Sequence, residues 1–106
     1  MKMPIYSVLL TVWSLSGATA VLAADAEKGA YLANTCMGCH AVKGYYNVYP
    51  TYRVPKLGGQ SGKYIESALK AYKSGDRSHG TMRANADNLS DEDMADIGAF
   101  FESHGQ

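Results

Sequence analysis

Five consecutive residues gather the reactive side chains of this sequence: Cys36, Met37, Gly38, Cys39 and His40, which include its only two cysteines. Two residues between the thiols let one turn of backbone bring both to a single flat molecule, and the imidazole that follows can turn towards its centre. This C-x-x-C-H spacing is the signature of covalent haem attachment, with the thiols adding across two vinyl groups and His40 becoming an axial ligand of the iron. Three other chemistries compete for the same residues. Zinc takes about four ligands, and the remaining histidines, His79 and His104, lie too far apart to supply the second close pair. A thioredoxin-like dithiol requires a βαβ setting, which this sequence does not show. A plain disulfide would close too small a loop to stabilise much and leaves His40 without a role. One haem c attached through Cys36 and Cys39 is therefore the expected cofactor.

An axial histidine raises the question of what faces the iron from the other side. Met37 is tied to the proximal side between the cysteines, and Met94 stands among acids at the start of an apolar helical stripe. Met82 differs from both, being the only large apolar side chain in the polar stretch from Gly75 to Asn88. It is the expected sixth ligand, and a methionine opposite a histidine raises the reduction potential relative to two nitrogens. His79, three residues away, is the rival, since two imidazoles also make a sound ligand pair. His104 reads as a favourable charge at a helix C-terminus.

Three helices are needed to hold these groups. Asp25 reads as the N-cap of a first helix running up to Cys36, with Glu27 in its first turn. A second begins after Ser61, where Tyr64, Ile65, Ala68, Leu69 and Tyr72 repeat at helical spacing, and ends at Gly75. The third has the fullest start signal: Ser90 and Asp93 form a capping box, and Leu89 with Met94 forms a hydrophobic staple. Ile97, Phe100 and Phe101 continue its apolar face. No segment alternates at period two for long enough to read as a strand. The fold class is thus all-α, with two long connections, residues 41–60 and 75–88, read as loops.

The 106 residues suffice for one domain, and 46% hydrophobic against 19% charged content excludes a disordered chain. A formal net charge of zero argues against a nucleic-acid partner. From Met3 to Ala24 there is no charged residue, while Lys2 precedes the apolar run from Ile5 to Leu15 and small residues follow it. Residues 1–23 are expected to be a secretory signal cut after Ala23, with Ala20 the alternative cut; an uncleaved segment would instead anchor the protein in a membrane. The working domain is then residues 24–106. It is small enough that its own side chains make a marginal core, and a haem buried among the helices would make up the deficit. Its neutrality hides a pattern: residues 53–83 carry seven basic and two acidic side chains, and residues 84–106 carry six acids with no Lys or Arg.

With these features in place, the chain from residue 24 onward resembles a class I c-type cytochrome, closest to small soluble bacterial single-haem forms and to one half of the dihaem periplasmic ones. Beyond Cys36-Met37-Gly38-Cys39-His40, the matching stretches are Pro55 to Gln60, Tyr64 with Leu69, Gly75-Asp76-Arg77, Met82, and Leu89 to Ile97. The resemblance implies a cytochrome c-like fold of three main helices and long loops wrapped around one haem. It also implies that the Pro55 carbonyl accepts a hydrogen bond from His40, that Leu57 and Leu69 line the haem pocket, and that Gly29 and Leu32 let the first helix cross the last against Ile97 and Phe100. The departure is the segment from Gly44 to Arg53, which holds four of the eight tyrosines and serves either as cover for a haem edge or as a docking surface.

The function expected on this basis is one-electron shuttling in the periplasm by a monomer that meets redox partner proteins through a small transient interface. The alternatives are the haem subunit of a periplasmic oxidoreductase, with catalysis on another chain, and a haem enzyme or gas sensor with an open sixth site. Lys56, Lys63, Lys70, Lys73, Arg77 and Arg83 would steer an acidic partner, or simply form solvated helix faces.

Overall fold

The computed structural model describes residues 23–104, so the expected signal segment, apart from Ala23, lies outside the described residues. The predicted first helix is two. α1 spans Ala26–Leu32, with the Asp25 carboxylate accepting from the Glu27 and Lys28 amides at 3.0 and 3.1 Å. At Ala33 the backbone turns (φ −74°, ψ −5°), its N–H satisfying the Gly29 carbonyl while its own carbonyl accepts from Cys36. α2, Asn34–His40, then carries both cysteines and the histidine. Asn34 and Thr35 are weak helix formers, which suits them to the junction.

α3 spans Gly62–Ser74, with the Ser61 hydroxyl capping the Tyr64 amide and Gly75 closing the helix at φ 89°. α5 spans Asp91–Ser103, and the capping box is present in both directions: Asp93 N–H to Ser90 Oγ and Ser90 N–H to Asp93 Oδ2, each 3.0 Å. These bonds hold the Asp93 carboxyl below its ordinary pKa, the largest cause being the Ser90 backbone N–H.

Two readings need correction. The stretch from residue 75 to 88 is not all loop, because Gly80–Ala86 forms a helix, α4. Seven residues are too few to display a helical stripe, and only Ala86 is buried. The connection 41–60 also contains strands: β1, Tyr46–Asn47, pairs antiparallel with β2, Tyr52–Arg53. Two-residue strands cannot show alternation. The turn between them is held by side chains, Asn47 Nδ2 donating to the Pro50 carbonyl (2.7 Å) and Thr51 Oγ1 to that of Val48 (2.8 Å).

α5 is the hub, packing against both α1 and α3, and α4 leans on α3. The shared core is small: Ala33, Ile65, Leu69, Ala86, Met94, Ile97 and Phe101. Leu89 packs at its edge beside the fully buried Met94, as a staple requires. α1 lies directly on the α5 backbone, because a Cβ at Gly29 would run into the Asp96 carbonyl and come within 3.1 Å of the Phe100 Cβ. The same crossing is tied electrostatically. Asp96, only 2% exposed, accepts the Asp25 amide at 2.7 Å through Oδ1, and its Oδ2 lies 3.6 Å from the Lys28 ammonium. Gly29→Ala is expected to lower the stability of the haem-loaded protein by about 3 kcal/mol, the upper end of overpacking costs, because backbone cannot yield as a side chain can. Denaturant titration would check this; an unchanged midpoint would show that the helices separate freely.

Candidate functional site

A cleft of about 480 Å³ opens between α2, the β2 strand with its continuation to Gln60, α3 and α4. Cys36, Cys39 and His40 stand on one wall, Leu57 and Leu69 contribute apolar surface, and Met82 stands on α4. Cys36 and His40 are half-buried while Cys39 is exposed at the rim. No α5 residue lines the cleft, so the acidic terminal helix lies behind it.

The sequence places the three reactive groups on one short helix, and the structure adds what holds them. His40 Nδ1 lies 2.7 Å from the Pro55 carbonyl oxygen. A carbonyl can only accept, so Nδ1 carries the proton and Nε2 keeps its lone pair for a metal. Burial pushes the Cys36 thiol above its ordinary pKa, and the neighbouring Cys39 adds to this, against a lowering by a hydrogen bond with Thr35. Both cysteines are free, with no disulfide between them. Among the described residues no group of three or more His, Cys, Asp or Glu side chains is arranged to hold a metal ion, so no second ligand pair for zinc accompanies the two thiols.

Met82 is half-buried and packs against the core edge, whereas Met37 touches the core behind α2 and Met94 is wholly buried in α5. Of the three, only Met82 lines the cleft. His79 lines it too, but its Nδ1 accepts the Met82 amide at 3.3 Å and caps α4. His104 stacks on Phe100 with ring centroids 4.4 Å apart, away from the cleft.

The cavity and its donors suit a haem. Its volume falls within the roughly 300–1,000 Å³ of sites that enclose a cofactor-sized molecule. Its apolar walls, with two thiols and an imidazole on one side and a thioether available on α4, form the soft and nitrogenous donor set that haem iron takes in c-type proteins. Several further wall residues carry no cleft signal in the sequence. Tyr52, Val54 and Tyr72 line the cleft; Tyr72 belongs to the α3 stripe, and the tyrosine-rich segment signalled Tyr52, but nothing in sequence joined them to α4.

The family model for cytochrome c matches residues 26–105. The chain belongs to the cytochrome c family. Cytochrome c-554(548) of Halomonas halodenitrificans is 44% identical over 84 residues, covering 76% of this chain and 98% of that protein. Cytochrome c4 of Pseudomonas aeruginosa is 39% identical over 97 residues, covering 92% of this chain and 46% of its own. The crystal structure of reduced recombinant cytochrome c4 from Pseudomonas stutzeri superposes with a TM-score of 0.61 at 27% identity, covering 74% of this chain and 47% of that one. The chain thus spans nearly the whole of c-554(548) and about half the length of cytochrome c4. It is an electron-transfer protein with one haem c, covalently attached through Cys36 and Cys39.

Proposed function

We propose that residues 24–106 form a periplasmic one-electron carrier whose haem c is held between His40 and Met82, and that residues 1–23 are its export signal. The observation that carries this reading is the placement of Cys36, Cys39, His40 and Met82 around one cleft. The bound haem supplies a metal centre that gains and loses a single electron. His40, oriented by its bond to Pro55, and Met82, on α4, would be the two side chains that hold the iron. Leu57 and Leu69 exclude water from the haem face and so lower the local dielectric, one of the levers on potential. A haem held by both side chains would keep no position open for a substrate, which favours a carrier over an enzyme. No helix among the described residues is long and apolar enough to cross a membrane.

A redox partner would approach the cleft mouth. Arg53, Lys56 and Arg77 stand on the cleft wall, while Lys63 and Lys70 are engaged with Glu66 at 3.4 and 2.9 Å. These exposed basic groups at the mouth, with the acidic α5 behind, would orient the molecule towards an acidic partner through a small interface, with the protein itself a monomer. Electron-transfer rates with such a partner should fall as salt is added, and salt-independent rates would remove the steering claim. The carrier reading is tested by exposing the ferrous protein to carbon monoxide at neutral pH. Little or no rapid binding is expected; rapid stoichiometric binding would show an open sixth position and sink the reading.

A further inference from the structure

The tyrosine-rich hairpin is conspicuous in sequence, and haem attachment gives it no task. Tyr49 is 91% exposed and Tyr46 57%, so these two aromatics do not hold the hairpin to the body. Tyr52 behaves differently. From β2 it crosses to α4, where its hydroxyl donates to Thr81 Oγ1 at 3.1 Å and its ring meets His79 edge-on, centroids 4.6 Å apart at 83°. Tyr72 of α3 approaches the same imidazole from another element, at 6.2 Å and 73°. His79 Nδ1 in turn accepts the Met82 amide at 3.3 Å.

We propose that the hairpin is a tether for the methionine-bearing helix, with Tyr52 and His79 as positioning residues that keep Met82 seated. A seven-residue helix has too few internal bonds to persist by itself, and α4 buries one alanine only. It therefore depends on neighbours: α3 on one side, and the Tyr52 ring and hydroxyl on the other. The bond to Thr81 fixes the first turn and the His79 cap fixes the amide of Met82 itself. Aromatic edge contacts and an N-cap act here in series, so releasing either frees the backbone that carries the thioether. The inference rests on Met82 as sixth ligand, and it adds that the ligand's hold is set from outside its own helix.

The test uses the haem-loaded ferric protein, with free imidazole as a competitor for the far axial position and the red-edge iron–methionine absorption band as its readout. Tyr52→Leu and His79→Ala are each expected to tighten apparent imidazole binding about tenfold. Tyr52→Phe, which keeps the ring and loses one hydrogen bond, should tighten it about threefold. His79→Asn keeps a capping group without the ring contacts and should fall between wild type and His79→Ala. Ile97→Val, in the α5 core, should lower overall stability and leave imidazole binding unchanged. Wild-type affinity in both Tyr52→Leu and His79→Ala would overturn the proposal, as would an equal tightening in Ile97→Val. Hydrogen exchange separates this from the ligand assignment. If the wild-type band is absent or survives Met82→Ala, the ligand reading fails, and the Arg83 and Asp87 amides decide the tether. Exchange about tenfold faster in Tyr52→Leu, with α5 amides unaltered, supports it; unchanged exchange overturns it.

Discussion

Without haem the protein is expected to be largely unfolded. Cys36→Ser combined with Cys39→Ser, or expression without attachment, should remove most of the helical circular dichroism and leave no cooperative melt. The reason lies in how little the chain buries by itself. Among the described residues, two of the seven core side chains are alanines, and only Met94 and Ile97 are large and fully enclosed. A domain of this size rarely draws more than about 3–5 kcal/mol from such a core. Leu57, Tyr72 and Met82 line the cleft and are only half-buried, so an unfilled cleft leaves part of their surface in water at about 25 cal/mol per Å² of apolar surface. α2 and α4 suffer most, being seven residues each, α2 with no buried residue and α4 with only Ala86. An apo chain that kept its helices and melted cooperatively would show that the polypeptide alone specifies the fold.

Met82→Ala should leave the fold and the attachment intact while changing the metal's environment. The ferric red-edge band is expected to vanish, carbon monoxide to gain access to the ferrous state, and the potential to fall by roughly 0.2 V, a fraction of the ~0.8 V that axial ligands span. The direction follows from replacing a thioether, which raises the potential, with water or a nitrogen ligand. His79 gives the contrary outcome a definite form. If it were the ligand, Met82→Ala would leave spectrum and potential nearly unchanged, and His79→Ala would alter both. The structure weighs against that, because His79 Nδ1 accepts the Met82 amide, which puts the neutral imidazole's proton on Nε2 and leaves it no lone pair for iron.

How far the sequence carried this picture varied with the signal each part emits. Ser90 with Asp93, Ser61, Gly75 and Asp25 act on backbone within a few residues of themselves, so the bounds of α3 and α5 and the start of α1 could be read from local chemistry. The attachment site was legible for the same reason, with its five residues adjacent. Met82 stands out in the sequence as an apolar residue in a polar stretch that reads as loop, yet it lies on a helix. α4 escaped because its support comes from Tyr52, 29 residues before Thr81. Such a contact leaves no periodicity to detect. The break at Ala33 was likewise hidden, since alanine is the strongest helix former and only the junction with Asn34 and Thr35 explains it.

The crossing of α1 on α5 bears on the order of events during synthesis. Gly29 and the Asp25 amide find their tertiary partners in Asp96 and its neighbours, and the Asp25 to Asp96 bond joins residues 71 positions apart. α1 consequently has nothing to close against until almost the whole chain has been made. The crossing of α1 on α5 is thus a late contact, one that waits on the last helix of the chain.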